Sequence, residues 1–163
     1  MLRAKPHKIP RGQEFFDRSI VAVGWPSTGS IEGLDEAGIR EALEAKYASK
    51  PATWVSNSLR DLLIFRDSML VGDLVLAVPT PTDRSGRPML GRISGPYQFD
   101  PTVSSGEEGY PHQRPVEWLR PGISRPNIPA SIMDLLRRRG SIVIELPPDE
   151  LETLALTNGW VAG

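Results

Sequence analysis

The sequence WVSNSLRDLLIFRDSMLVGDLVLAVPT, residues 54–80, carries the clearest structural pattern of the chain, because the spacing of its apolar residues changes from helical to strand-like at Gly72 and Asp73. Apolar residues recur every three or four positions before that pair, and the run LVLAV follows it unbroken. The first pattern is typical of an amphipathic helix and the second of a strand buried on both faces. We therefore predict a helix over residues 52–69, a turn at Gly72 and Asp73, and a strand over residues 74–79.

Short strands and helices are predicted on both sides of this unit. The strands are residues 19–25, 89–99, 113–119 and 141–146, and the helices are residues 35–49, 130–139 and one that begins at Pro148. Gly91 and Gly95 lie where a sheet would bend into a barrel. The pattern favours an α+β fold, with a curved β-barrel of about five to six strands and helices packed against it.

The chain divides into three predicted segments. Residues 1–18 are polar, basic and interrupted by proline, so we expect a flexible N-terminal arm with Phe15 and Phe16 docking on the body. Residues 19–147 form the domain, and residues 148–163 form a C-terminal helix packed on it. A chain of 163 residues is long enough to form one hydrophobic core without disulfides or structural metals.

Composition narrows the function classes. Cysteine is absent, which excludes disulfides and favours a reducing cytoplasm. No apolar run is long enough for a membrane span, so we expect no membrane partner. The net charge of −1 argues against binding nucleic acid by bulk electrostatics, although a local basic patch stays compatible with it.

The sequence also contains no recognisable catalytic pattern. It has no GxSxG, no phosphate-binding glycine loop and no nuclease-like pair of acids with a lysine. Two histidines without cysteine give no nearby set of zinc ligands. We therefore predict a binding domain rather than an enzyme, with neither a metal nor a cofactor.

Four aromatic residues are candidates for one binding pocket. They are Trp25, Trp54, Tyr97 and Trp118. A nucleobase stacked on an aromatic ring gains ~1–3 kcal/mol, so two rings offset much of the cost of unstacking a base. The alternative is that these rings fill the core between helices and sheet.

Polar residues beside these rings are candidates for reading the edge of a base. Ser56 and Asn57 offer donors and acceptors, and Asp73 offers an acceptor for a base amine. Each has a structural alternative, because Ser and Asn are common in the first turn of a helix. An Asp after Gly commonly holds its own turn.

Cationic residues are candidates for contact with a nucleic-acid backbone. They are Arg84 and Arg87 on a predicted hairpin tip, Arg92 and Arg114 in strands, and His112 at the end of a loop. Arginine suits phosphate contacts because its guanidinium is planar and presents several donors. The alternatives are a solvated edge-strand charge for Arg114 and a structural role for His112.

Several of these segments together resemble a known group of domains. The order GWP, SLRDLLIFRDSMLVGDLVLAVP, GRISGPYQFD and YPHQRPVEWL resembles the reader domains found beside restriction endonuclease domains in bacterial defence proteins. Those domains belong to the PUA-like superfamily, close to the EVE and YTH domains. The resemblance covers roughly residues 19–146 and depends on order and spacing rather than on one motif.

Individual residues match the two patterns of that group. The EVE-like pattern is matched by Trp54, Asn57, Gly72 and Asp73, and the restriction-associated pattern by Trp25, Tyr97, Phe99, His112, Arg114, Val116 and Trp118. The resemblance implies a barrel that recognises a modified base in DNA, often by flipping it out of the duplex. It also implies a nuclease effector, fused or encoded separately. An RNA-binding PUA-like module and a protein-interaction domain are the alternatives.

Overall fold

A computed structural model describes residues 2–3, 9–78, 87–103, 106, 108–120, 123, 127–137 and 143–159 of the chain. Within them the fold is α+β, as predicted. The strands are β1 (Leu2–Arg3), β2 (Ile20–Val23), β3 (Leu74–Val78), β4 (Met89–Ile93), β5 (Gln98–Phe99) and β6 (His112–Arg120). The helices are α1 (Gly12–Asp17), α2 (Glu36–Lys46), α3 (Ala52–Leu63), α4 (Ala130–Arg137) and α5 (Pro148–Thr157).

The strands form one mixed sheet in the order β1-β3-β4-β6-β2, with β5 paired to β6. Only the β1–β3 pair is parallel among these pairings. In the described residues β1 and β2 stand at opposite ends of the order, so the sheet is not closed into the predicted barrel. The single strand predicted over residues 89–99 is divided at residues 94–97, and both of its parts pair with β6.

Strand β6 connects the two halves of the sheet. Its first residues, His112 to Pro115, pair with β2, and Val116 onward pairs with β4. The register between β4 and β6 shifts between Leu90 and Gly91. Gly91 is required at that shift, because a Cβ there would overlap Val116 Cγ1 and lie 2.8 Å from Cε3 of Trp118.

Replacement of Gly91 by alanine is expected to lower the free energy of unfolding by about 1–3 kcal/mol, since a β-branched side chain and an indole ring must move. Urea unfolding followed by tryptophan fluorescence measures the loss. Gly12→Ala is the control, because the nearest atom to its new Cβ would be Met89 Cε at an ordinary 3.9 Å. Equal midpoints for the two variants would show that Gly91 is not at a close approach.

The N-terminal residues are more ordered than predicted. Leu2 is fully buried and pairs with Ala77 of β3, and Phe15 of α1 is fully buried in the core. The docking of Phe15 is thus confirmed, but a flexible arm is wrong for β1 and α1. The prediction of an arm failed because the proline and lysines of residues 4–8 gave the segment a polar, proline-interrupted composition, in which the two short elements were not recognised. Residues 4–8 themselves lie outside the described part.

Two of the helices are shorter than predicted: α2 ends at Lys46 rather than at residue 49, and α3 ends at Leu63 rather than at residue 69. Asp35 caps α2 by accepting a hydrogen bond from the Gly38 amide at 2.8 Å. Helix α3 continues as a π-helical turn, Ile64–Ser68, before the chain reaches β3. A π-helical turn shifts the side chains that follow it around the axis, and such turns occur frequently at functional sites.

The C-terminal helix packs on the domain as predicted. Leu151, Leu154 and Ala155 of α5 lie in an apolar cluster with Leu76 of β3 and Leu90 of β4. The strand predicted over residues 141–146 is wrong for its described part, where Val143 forms one bridge to Leu2 and residues 144–146 are irregular. No helix in the described residues combines the length and apolarity needed to cross a membrane.

Candidate functional site

A hydrogen-bonded network links Tyr97 to the GWP motif through His112. The hydroxyl of Tyr97 lies 2.7 Å from Nδ1 of His112. On the other side of the ring, His112 Nε2 lies 3.1 Å from Thr28 Oγ1 and 3.3 Å from the carbonyl oxygen of Trp25. The Tyr97 and His112 rings are stacked at an interplanar angle of 28°.

Burial fixes the protonation of this chain. His112 is fully buried, and desolvation lowers the pKa of His112 to about 4, so its imidazole is neutral near pH 7. Burial also raises the pKa of Tyr97 to about 12, so its hydroxyl stays protonated. One arrangement satisfies all partners: Tyr97 donates to Nδ1, and Nε2–H donates to the Trp25 carbonyl and Thr28 oxygen.

Trp25 takes an unusual backbone conformation to supply that carbonyl. Its φ of 60° and ψ of 49° lie in the left-handed region, which is costly for a bulky residue. The conformation turns the chain out of β2, and the Trp25 carbonyl accepts from Thr28 Oγ1 at 2.8 Å. The GWP motif thus supplies the carbonyl that holds His112 in position against Tyr97.

Arg114 is buried beside this network rather than exposed. Its Nε donates to the carbonyl of Phe65 at 2.7 Å, and its two terminal nitrogens donate to the carbonyls of Gly95 and Arg66. Burial lowers the pKa of Arg114. The guanidinium therefore ties the π-helical turn to the break between β4 and β5.

Arg66 holds the opposite wall in a similar way. Its Nε and Nη2 form a bidentate pair with Asp67, at 2.6 Å and 2.8 Å. Its Nη1 donates at 2.6 Å to the carbonyls of both Ile31 and Leu34. The hydrogen bonds that Arg66 donates to Asp67, opposed in part by desolvation, raise the pKa of Arg66.

These groups surround an open cleft of about 620 Å³, which we call the Tyr97 cleft. Its floor contains Pro96, Tyr97 and Arg114. One lip is residues 32–35, and the other lip is formed by Arg66, Asp67 and residues 69–71. The cleft is of the size that small ligands occupy in proteins, and it combines one aromatic ring with apolar and carboxylate groups.

The three predicted tryptophans do not join Tyr97 in this cleft. Trp25 is buried in the core, and Trp118 packs on Phe16 and donates from Nε1 to the Phe15 carbonyl at 3.3 Å. Trp54 packs against Tyr47, with ring centroids 5.0 Å apart. The four-ring cage is therefore wrong in this conformation, because three rings fill spaces between helices and sheet.

The polar candidates are also separated from the cleft floor. Ser56 and Asn57 are exposed on α3 and line none of the cleft described above. Asp73 accepts from the Leu70 amide at 2.8 Å, so it holds its own turn. It lines a second groove of about 410 Å³, on the far side of that turn.

The cationic candidates fall into three places. His112 and Arg114 are buried and engaged with protein groups, so the predicted backbone contacts are wrong for both in this conformation. Arg92 is half-buried and lines the second groove, and Arg87 is exposed. Arg84 lies outside the described residues.

Sequence reasoning missed the apolar lips of the cleft. No sequence pattern marked Leu70, Val71 or Thr28 as site residues. The position of Arg66 within the apolar stripe of the predicted helix was the available signal, because an arginine there must reach a polar site. Among the described residues, no three potential metal ligands lie close enough together to hold an ion.

Comparison with known proteins places the chain in a family. Residues 3–135 match the family described as "Domain of unknown function (DUF8426)". The chain belongs to that family. The match begins at the second residue of β1, includes α1 and every residue of the Tyr97 cleft, and ends within α4. No curated protein and no solved structure gives a significant match.

Proposed function

We propose that this DUF8426 domain is a non-catalytic module that binds DNA and takes one modified base, such as a methylated base, into the Tyr97 cleft. The base leaves the duplex to reach the cleft, and a nuclease effector, fused or separate, acts on the bound DNA. The proposal includes kinship with PUA-like readers, with the six-stranded sheet as a barrel open between β1 and β2. The fixed, half-buried ring of Tyr97 is the observation that carries it.

Tyr97 is suited to stacking because it is held in place before any ligand arrives. Its hydroxyl is bonded to His112, and the Ser30 hydroxyl and Ile31 amide also approach it. A ring that is already fixed loses little conformational entropy on binding. The neutral His112 places no charge behind the ring, which suits an uncharged heterocycle.

The hydrogen-bonding groups around the cleft favour a ligand edge that donates. The donors of Arg66 and Arg114 already serve backbone carbonyls and Asp67. The Glu32 carboxylate lies on the facing lip, beside the Asp35 carboxylate, which accepts a hydrogen bond from the Gly38 amide through Oδ1. Carboxylates accept hydrogen bonds from the exocyclic amines of cytosine and adenine, and Leu34 beside them suits a methyl substituent.

Binding of matched duplexes tests the proposal. We expect tighter binding to a duplex with one 5-methylcytosine or one N6-methyladenine than to the same duplex unmodified, measured by fluorescence anisotropy at fixed salt. Equal affinity for all three duplexes would contradict recognition of a modified base. An RNA of the same sequence is included, and preference for RNA would favour the alternative function.

Substitution of Tyr97 locates the binding site. We expect Tyr97→Ala to weaken binding of the preferred duplex about 5- to 150-fold, because ~1–3 kcal/mol of stacking is lost. Tyr97→Phe keeps the ring and is expected to stay within a few-fold of the unchanged chain.

Trp54→Ala is the matched control for that experiment, because Trp54 is a half-buried ring that packs on Tyr47 outside the cleft. We expect it to retain binding. Loss of binding in Trp54→Ala with retention in Tyr97→Ala would move the site to α3. All variants are first compared by circular dichroism and urea unfolding, so that loss of fold is recognised.

A further inference from the structure

An apolar patch stands on the lips of the Tyr97 cleft. Leu70 and Val71 are 61% and 60% exposed, and Leu34 across the cleft is 37% exposed. Among the large apolar side chains exposed in the described residues, only Leu156 lies elsewhere, on α5. Concentration of three such side chains around one cleft indicates an interaction surface rather than scattered surface residues.

The segment that carries Leu70 and Val71 is a rigid turn, residues 70–73, which we call the Leu70 turn. The Asp73 amide donates to the Leu70 carbonyl at 3.2 Å, and Gly72 supplies the φ of 99° that the turn needs. Two bonds to Ile93 of β4, from Gly72 N and to Asp73 O, anchor it at 2.8 Å each. The two side chains are therefore presented on a fixed support.

The two carboxylates next to the turn, Asp67 and Asp73, lie beside arginines, whereas those of Glu32 and Asp35 line the facing lip. Asp67 is paired with Arg66, and both Asp67 and Asp73 lie close enough to Arg114 to act on its charge. Two carboxylates thus face two guanidinium groups. The Leu70 turn presents a neutral apolar tip, which suits the interior of a base stack better than a phosphate.

We propose that Leu70 and Val71 form a wedge that enters the base stack of a DNA duplex and fills the space left by the base bound in the Tyr97 cleft. The inference rests on the proposed function and adds the part of the domain that opens the duplex. Proteins that deform duplexes insert apolar side chains between bases in this way, which offsets part of the cost of unstacking.

The position of the turn relative to its surroundings supports this assignment. Leu70 and Val71 line the Tyr97 cleft, while Gly72 and Asp73 line the second groove on the other side of the turn. Arg92 also lines that second groove. A duplex entered by the wedge therefore has the cleft for the flipped base on one side of the turn. On the other side it has the second groove, which Arg92 lines together with Asp73, Glu145 and Glu152.

Comparison of duplex and single-stranded DNA tests the wedge. The double variant Leu70→Ser, Val71→Ser is titrated with a duplex carrying 5-methylcytosine or N6-methyladenine, whichever the unchanged chain binds more tightly, and with the modified strand alone. A wedge is needed only where a stack must be opened. We expect at least about tenfold weaker binding to the duplex and less than about twofold change on the single strand.

A fluorescent base and a control variant make the result specific. 2-Aminopurine beside the modified base brightens when the stack opens, and this increase is expected to be lost in the double variant. Leu156→Ser removes an equally exposed leucine, 59% accessible, from α5, and is expected to bind both probes as the unchanged chain does.

Three results would overturn the wedge. Equal losses on duplex and single strand would show that Leu70 and Val71 act only as a wall of the Tyr97 cleft and do not enter the stack. No loss on either probe would leave the patch to a protein partner. Failure of the unchanged chain to bind either probe would overturn the proposed function itself, and the wedge with it.

Discussion

Arg114→Met is expected to lower the free energy of unfolding by at least about 3 kcal/mol, because three backbone carbonyls lose their donor and a buried acceptor without a partner costs roughly 1–3 kcal/mol. Methionine keeps the apolar stem but lacks the terminal guanidinium atoms, so the loss combines the three hydrogen bonds with a small cavity. The carbonyls belong to Phe65, Arg66 and Gly95, which lie at the π-helical turn and at the break in the sheet. Urea unfolding measures the change.

Lysine and a surface arginine give the matched comparisons. Arg114→Lys keeps the charge but its ammonium cannot span three carbonyls, so we expect it to recover only part of the loss. Arg40→Met removes an exposed arginine that pairs with Glu36 at 3.7 Å and is expected to change stability by less than about 1 kcal/mol. Unchanged stability with lost DNA binding in Arg114→Met would instead restore the predicted phosphate contact.

Arg114 was predicted to contact a nucleic-acid backbone and is buried instead, and this difference shows what strand alternation can and cannot predict. Alternation along β6 predicts that Arg114, Val116 and Trp118 share one side, and the burial of Arg114 and Val116 agrees with this. Alternation cannot distinguish a face that lines an open cavity from one covered by other elements. The π-helical turn that covers Arg114 is a contact across 48 residues.

The same distinction explains the aromatic residues. Helical spacing and the LVLAV run predicted α3 and β3 almost to their ends, because apolar periodicity is a local signal. Whether a tryptophan is packed or open depends on neighbours from distant segments, such as Phe15 and Phe16 against Trp118. The motif residues Trp25, Tyr97 and His112 do meet, but through a carbonyl and an imidazole rather than as a cage of rings.

The exposed Leu70 turn was predictable in its backbone and not in its role. Gly72 and Asp73 predicted a turn, and the structure contains it. Because Leu70 and Val71 stand between apolar segments, the sequence does not distinguish an exposed tip from a continuation of the buried core. Only the fold shows that the tip stands clear of the core, 61% and 60% exposed.

Acidification from pH 7 to pH 5 is expected to destabilise the domain by about 2 kcal/mol through His112 alone. The pKa of His112 falls from 6.5 to about 4 in the folded chain because the ring is buried. Between those values the unfolded chain binds a proton that the folded chain does not, so lowering the pH favours unfolding. This stability is present above pH 6.5 and is lost as the pH falls toward 4.

Urea unfolding at intervals from pH 7 to pH 5 measures the slope. Desolvation raises the pKa of the Glu14 carboxyl, but hydrogen bonds from Tyr110 and Arg11 together with nearby arginines bring it below its ordinary value of 4.5. Hydrogen bonds from Arg66 hold the pKa of Asp67 below 3.8. These groups therefore act mainly below pH 5. His7, the other histidine of the chain, lies outside the described residues, and His7→Gln measures how much of the slope it contributes.

His112→Gln is expected to abolish most of the slope, even though it lowers stability at pH 7 by disturbing the bonds to Tyr97 and Thr28. A slope that survives this substitution would contradict a buried neutral imidazole. The same titration bears on binding, because a protonated Nδ1 can no longer accept from the Tyr97 hydroxyl. The folded ring takes up its proton only as the pH approaches about 4, so affinity for the preferred duplex is expected to hold from pH 7 to pH 5 while stability falls, and to decline below pH 5. Tyr97→Phe, which makes no such bond, should keep a flatter dependence of affinity on pH.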